Sequence, residues 1–319
     1  MQGITVVSTV KHSIIAALTL VAACRPPVST PPPTSAVESA IGADVGFLAS
    51  PALGGREAGT AGADSTAEFL ALRYQRLGLR PAFRLRCDAA PSCPESYFQP
   101  FGIERGVALA HNVGTVVDGS DPLVRNQFVV LGAHYDALGR SPTFALDRDR
   151  GFVIRPGADD NASGTAALLE LARRLRDRPA RRSILIVNFD AEELGSIGSR
   201  VFLNNPPVPE QAMTFMLNLD MIGRLGENRL FVEGVRERAT RALIDSAVAA
   251  VGIRADYVAN DGRSDHATFL ADGIDAVELS TGYHIDYHKA SDVAARVDLV
   301  GMERVLDVAE FIIRRTADR

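Results

Sequence analysis

The sequence predicts an α/β fold: a single domain with a mainly parallel, mixed central sheet and helices on both faces. Two observations carry the prediction. Short apolar runs rich in β-branched residues alternate with segments whose apolar residues recur every three to four positions. The short runs are apolar throughout rather than every second residue, as strands covered on both faces are. A third observation, acids and histidines gathered where those runs end, points to the function.

The strand-like runs are QFVVLGAHYD (127–136), RSILIVNFDAEE (182–193), TFMLNLDM (214–221), NRLFVEG (228–234) and DAVELST (275–281). Helical periodicity covers 162–176, 194–203, 236–251, 265–272 and 301–315. It also marks AEFLALRYQRLGL, where Ser65 and Glu68 have capping-box spacing and Gly78 stops the pattern. No repeat or second unit interrupts this order. With 319 residues and 46% hydrophobic content the chain is long enough for a sizeable core. The net charge of −5, a pI near 5.7 and the lack of a clustered Lys/Arg face exclude a nucleic-acid partner.

Lys11 and His12 precede the apolar run SIIAALTLVAA, which is too short to span a bilayer and suits an export signal. The run ends in Val21-Ala22-Ala23-Cys24, which resembles a bacterial lipoprotein signal cleaved before a cysteine that then carries lipid. Residues 1–23 are therefore expected to be an export signal and residues 24–37, rich in Pro, Ser and Thr, a tether. Residues 38–319 are expected to be the catalytic domain. The protein is then an exported lipoprotein, periplasmic or at the cell surface, or, with ordinary signal cleavage, secreted. Cys87 and Cys93, within CDAAPSC, are expected to form a local disulfide, since a metal pair there would need further Cys or His nearby.

The stretch PGADDNASGTAALLEL (156–171) places two aspartates and an asparagine ahead of a helical run. Helix capping accounts for one such acceptor, not three. Elsewhere His134, Tyr135 and Asp136 end one run, Asp190 to Glu193 another, and Asn218 to Asp220 a third; HIDYHKASD follows the last. Open α/β sheets bind ligands beyond the carboxyl ends of their strands. In an extended strand His134 and Asp136 share a face, so Asp136 is placed to fix the imidazole tautomer. Glu192 and Glu193 are either helix-start acids favoured by the macrodipole or a metal ligand beside a base. Three carboxylates and two histidines, with one carboxylate left over, meet the demand of two zinc ions sharing a bridging ligand. Another divalent metal is possible with the same donors. No G-x-S-x-G elbow, P-loop or dinucleotide fingerprint competes.

The ordered set LGAHYDALG, PGADDNASG, FDAEELGSIGS, LNLDMIG, GRSDHATF and DYHKASD resembles the co-catalytic di-zinc metallopeptidases. These are secreted bacterial leucine-type aminopeptidases, related to glutamate carboxypeptidase and glutaminyl cyclase. LGGREAGTAG and HNVGTVVDG fit the same family, so the resemblance covers about residues 45–315. It implies a zinc-aminopeptidase-like fold, with Asp160 bridging two zinc ions. His134 and Asp220 complete one site, and Glu193 and His288 the other. It makes Glu192 the general base, with a bridging water as nucleophile, and Asp136 the residue that orients His134. Tyr287 corresponds to a tyrosine that, in some relatives, donates to the developing oxyanion. Asp159 is expected to support its loop, His266 and His111 to be structural, His284 to lie near the site without being a ligand, and Arg263 to contact substrate or form a structural ion pair.

The implied activity is removal of the N-terminal residue from peptides with a free amino terminus. Glutaminyl cyclase or carboxypeptidase chemistry on the same scaffold is the alternative. A non-catalytic zinc-binding surface protein is a further one, though no ligand position is lost.

Overall fold

The computed structural model describes residue 3 and residues 35–84, 94–103 and 108–319. The expected export signal, Cys24, most of the tether and the Cys87–Cys93 pair lie outside the described residues. The first helix, α1 (Ala36–Leu48), takes in the last two residues assigned to the tether. Ser35 and Glu38 close a capping box there: the Glu38 N–H donates to Ser35 Oγ at 2.9 Å, and the Ser35 N–H to Glu38 Oε2 at 3.3 Å.

The strands are β1 (Arg80–Pro81), β2 (Phe83–Arg84), β3 (Glu95–Ser96), β4 (Phe98–Ile103), β5 (Ala108–Val117), β6 (Phe128–His134), β7 (Ser183–Phe189), β8 (Met213–Leu219), β9 (Arg229–Glu233), β10 (Arg254–Tyr257) and β11 (Ala276–Ser280). Among the described residues, nine form one sheet in the order β1-β5-β7-β6-β8-β11-β9-β10, with β4 also paired to β5; β2 and β3 make a separate ribbon. The central four, β7-β6-β8-β11, are parallel. Antiparallel pairings flank them, β5 on β7 and β9 on β11. The sheet is mixed, as expected, with parallel strands at its centre and four of its eight pairings parallel among the described residues.

The remaining helices are α2 (Ala61–Arg76), α3 (Gly164–Asp177), α4 (Ile197–Asn204), α5 (Arg238–Val251), α6 (Asp265–Ala271) and α7 (Leu299–Ala317). Successive strand side chains go to opposite faces. Val129 and Leu131 of β6 join Ile184 and Ile186 of β7 in a core with α1, α2, α3, α5 and α7. Val130, Leu185 and Val187 point the other way, against Phe202 of α4 and Phe269 of α6. Two cores of this kind explain why the strand runs are apolar at every position.

Two helix starts are corrected. α2 begins at Ala61 behind Thr60, not at Ser65. Gly62 permits this earlier start, since a Cβ there would stand 1.9 Å from the Leu53 carbonyl oxygen. Gly78 (φ 70°) ends the helix as expected, donating to Gln75 O at 2.8 Å. α4 starts at Ile197 rather than 194, because the Gly195 and Ser196 N–H groups both turn back to Glu192 O.

Helices α3 and α7 are joined by charge. Arg174 donates to Glu170 at 2.8 Å and to Glu310 at 3.1 Å, and Arg314 donates to Glu310 at 2.7 Å. Burial alone would raise both glutamates, but the arginine hydrogen bonds outweigh it and hold both below their ordinary 4.5. A carboxyl with a depressed folded pKa stabilises the fold above its unfolded pKa and loses that contribution as pH falls through the folded one. Denaturant melts of the Glu170→Gln variant should show lower stability than wild type at pH 7 and a shallower loss on acidification below about pH 4.5, the ordinary glutamate value.

Candidate active site

The four parallel strands deliver their ends to one edge, and the chemistry-bearing residues lie there. His134 closes β6; Asp190, Glu192 and Glu193 follow β7; Asp220 follows β8; His284 and His288 follow β11. Asp160 comes from an irregular turn, 158–163, ahead of α3, where it and Asn161 leave helical angles (φ −103°, ψ 94° and φ −130°, ψ 51°). Asn161 does the capping: its Oδ1 accepts from the Gly164 N–H at 2.9 Å. Its Nδ2 donates to Leu219 O at 2.9 Å, tying the turn to the end of β8. Asp159 supports the loop, accepting from the Gly223 N–H at 2.6 Å with its other oxygen 3.2 Å from His284 Nε2.

That leaves the Asp160 carboxylate for the cleft. Its Oδ1 lies 3.3 Å from His134 Nε2, and its Oδ2 lies 3.2 Å from His288 Nε2. Asp220 Oδ1 is 3.4 Å from the same nitrogen of His134, and Glu193 Oε2 is 3.1 Å from that of His288. Two donor sets result, His134–Asp160–Asp220 and Asp160–Glu193–His288, each with its ligand atoms within 4.8 Å of one another. Asp160 belongs to both. Glu192 belongs to neither and stands beside them, its Oε2 4.0 Å from His134 Nε2.

Asp136 organises two of these groups at once. Its Oδ1 is 3.4 Å from His134 Nδ1, the nitrogen turned away from the cleft. Its oxygens also accept from the Glu192 N–H (3.0 Å) and the Glu193 N–H (3.2 Å). The chain can present both amides to one carboxylate because Ala191 is left-handed (φ 58°). Met221, Ser264 and His288 share that uncommon conformation (φ 54°, 58° and 53°). Such angles cost energy and persist where the surroundings hold them.

The electrostatics are those of too many acids in a dry place. Burial first, and Asp160 next, push Glu193 up to about 7. Burial also lifts Glu192 well above its ordinary range, with His134 opposing and Asp265 and Asp220 adding to the rise. Burial opposes charge on His288, yet Asp160 and Glu193 outweigh it and raise the imidazole to about 11. Asp160 itself is held below the carboxylate range: burial works against ionisation, and hydrogen bonds from His134 and His288 prevail.

Three residues with no role assigned from sequence hold this edge together. Arg56, in LGGREAGTAG, is fully buried and donates to Tyr135 O, Leu48 O, Pro156 O and Gly157 O. Burial lowers it to about 10, moderated by Asp136, Asp292, Asp160 and Glu193. Asp292, the last residue of DYHKASD, accepts from the Asp159 and Asp160 N–H groups at 2.9 and 3.1 Å. Asp190 accepts from Tyr135 Oη at 2.8 Å and from the His111 N–H at 3.0 Å. The motifs were visible in the sequence, but one arginine or aspartate within them carries no spacing signal.

The other expected positions follow their chemistry. Tyr287 lines the cleft with its ring stacked on His288 at 3.8 Å. His266 is buried, 2.8 Å from Glu278 Oε2, and so structural. Arg263 pairs with Asp261 at 3.1 Å and also faces the cleft. His111 lies 3.5 Å from Asp64, away from the donor sets.

Against known proteins, the sequence model of peptidase family M28 matches residues 112–312, a span running from β5 to α7 that contains every residue of the two donor sets. The chain belongs to peptidase family M28. As an M28 chain it is 32% identical over 159 residues to aminopeptidase YwaD of Bacillus subtilis, a match covering 48% of this chain and 32% of that protein. It is 28% identical over 185 residues to the alkaline phosphatase isozyme conversion protein of Escherichia coli, 57% of this chain and 50% of that one. The chain thus spans a third to a half of the length of these curated relatives. Among solved structures, the zinc aminopeptidase BSAP from Bacillus subtilis superposes with a TM-score of 0.69 at 17% identity, over 88% of this chain and 95% of that one. A Bacteroides thetaiotaomicron glutaminyl cyclase gives 0.68 at 18% identity, over 87% and 97%. These likenesses establish the M28 fold.

Replacing Arg56 by Met would remove the guanidinium donor shared by four backbone carbonyls and a buried charge facing the acids. A stability loss of about 3–5 kcal/mol is expected from denaturant titration, the usual cost of breaking a buried charged network. A loss under about 1 kcal/mol, the scale of an exposed ion pair, would show that Arg56 is not the anchor described.

Proposed function

We propose that this chain is a zinc-dependent aminopeptidase that removes the N-terminal residue of peptides. The observation that carries the reading is Asp160, whose two carboxylate oxygens face different histidines in two overlapping donor sets. The residues suit the metal. Oδ1 of Asp220 is buried without a hydrogen-bond partner, His134 Nε2 has Asp160 and Asp220 oxygens at 3.3 and 3.4 Å, and imidazole and carboxylate are zinc donors. His134, Asp160 and Asp220 would hold one ion, and Asp160, Glu193 and His288 the other.

Zinc bound there supplies Lewis acidity, polarising a peptide carbonyl and making a water acidic near neutral pH. Glu192, outside both donor sets but lining the cleft, takes the proton from the attacking water and returns it to the departing amine. Asp136 keeps the His134 ring in place and, through the two amides, the Glu192–Glu193 backbone. Burial keeps the Tyr287 hydroxyl protonated, so it can donate to the oxygen on which charge develops. The excess of carboxylates favours a free ammonium group at the substrate's N-terminus. The likeness to a glutaminyl cyclase makes cyclisation of N-terminal glutamine the rival, and the complete double donor set favours hydrolysis. Export and a lipid anchor on Cys24 belong to the same reading, supported by the apolar run that ends there.

Metal analysis of the purified protein should find two zinc ions per chain, with release of a chromogenic amine from leucyl anilide but not from its N-acetylated form. Glu192→Gln should keep its zinc and lose about 10²–10⁴-fold in turnover, the scale of general-base catalysis. Near-normal turnover in that variant rules Glu192 out. Asp160→Asn should lose both ions; loss of one alone would count against a shared ligand.

A further inference from the structure

The cleft opens into a cavity of about 1100 Å³ whose wall includes the antiparallel pair β9–β11. On that wall Glu278 stands directly opposite Glu233, with Ser280 opposite Phe231 two residues along. Opposed residues in an antiparallel pair project from the same face, and like charges placed so destabilise the sheet. All four line the cavity. His266 answers part of the repulsion, with Nδ1 2.8 Å from Glu278 Oε2 and Nε2 4.0 Å from Glu233 Oε2. One imidazolium cannot neutralise two carboxylates.

Glu278 is 8% exposed, and Asn218 Nδ2 reaches the same Oε2 at 3.3 Å. Its Oε1 takes part in none of these contacts. Arginines on the cavity wall do not fill the role: Arg200, Arg236 and Arg263 are exposed, and none forms an ion pair with either glutamate. Arg263 is engaged by Asp261, and Arg236 by the Leu270 carbonyl at 2.9 Å. The glutamates are also close to the reacting end. Asn218 donates to Ser264 Oγ at 2.8 Å, and Ser264 donates to Asp220 Oδ2 at 2.7 Å. Two hydrogen-bonded side chains, Asn218 and Ser264, therefore link Glu278 to a candidate zinc ligand.

We infer that this cavity receives the side chain of the substrate's N-terminal residue and selects a basic one, lysine or arginine, whose cation pairs with Glu278 and Glu233. The inference rests on the aminopeptidase reading and adds its substrate class. Phe231 offers an apolar surface for the aliphatic stem. A leucine in the same place would desolvate both carboxylates and pair neither, which is how a site with buried polar groups rejects an apolar analogue.

The zinc-loaded wild-type protein should be assayed on lysyl, arginyl and leucyl anilides, with kcat and KM read separately. The lysyl and arginyl substrates are expected to exceed leucyl in kcat/KM by at least tenfold. Glu278→Gln and Glu233→Gln should each lower the lysyl-to-leucyl ratio at least fivefold, chiefly through KM. Glu233 is the less buried of the two, at 19% side-chain exposure, so its variant tests the idea even where Glu278→Gln fails to fold. A wild type that favours leucyl, or ratios unchanged in the folded variants, overturns the basic subsite and leaves the aminopeptidase reading standing. Hydrolysis of none of the three anilides overturns both.

Discussion

Carboxylates forced together at the edge of a sheet set the terms for the rest of this structure. The ligand oxygens of Asp160 and Glu193, and those of Asp160 and Asp220, lie within 4.8 Å of each other. At that separation and the effective dielectric of a protein cleft, two unit charges repel by about 3 kcal/mol. A domain is stable by only about 5–15 kcal/mol in total, so a few such pairs compete with the whole fold. Without a cation the cluster answers by retaining protons, which is what the raised Glu192, Glu193 and His288 express. A divalent cation between the donor sets removes the cause instead.

Positions that repel must be held, and the chain holds them largely through backbone groups. Asp292 takes the amides of Asp159 and Asp160, and Asp136 takes those of Glu192 and Glu193. Arg56 spans the α1 end, the residue after His134 and the approach to the Asp160 turn, and adds a buried positive charge. The left-handed residues Ala191, Met221 and His288 sit at or beside the residues that must face inward. Conformational cost is thus concentrated at the strand ends, while β6 and β7 beneath them are fully buried and apolar apart from His134, Ser183 and Asn188. The rigid strands let the strained turns keep their angles.

Much of this was legible in the sequence because it is local. Continuous apolar runs marked β6, β7, β8, β9 and β11, and each was placed within two or three residues of its observed ends apart from the polar extensions that leave the sheet. Strand β5 escaped because Asn112, Gly114 and Thr115 interrupt its apolar pattern; Asn112 and Thr115 are buried and satisfied by partners distant in sequence, Gly198 and Arg80. Strand β10 has too little apolar character to stand out. In the site, His134, Asp136, Glu192, Glu193 and Asp220 come together because their motifs end or follow strands, Asp160 reaches the same edge from the turn ahead of α3, and His111, within β5, stays away from it. The anchors Arg56 and Asp292 were not legible as anchors: apart from Arg224 on Asp292, the partners described are backbone atoms, and backbone atoms leave no trace in residue identity.

The likenesses to an aminopeptidase and to a glutaminyl cyclase at nearly equal TM-scores have a physical reading. The sheet and its helices fix where strand ends go, and they do so equally well for either chemistry. The chemistry is then decided by the side chains at that edge and by what the adjoining cavity accepts. Here Asp160 has one oxygen toward each histidine, which is what the proposed pair of ions calls for. Glu233 and Glu278 lie farther out on the same sheet, opposed where sheet stability alone would disfavour them. Both features place charge where folding gains nothing from it, and that makes them the residues to weigh when assigning function to this scaffold.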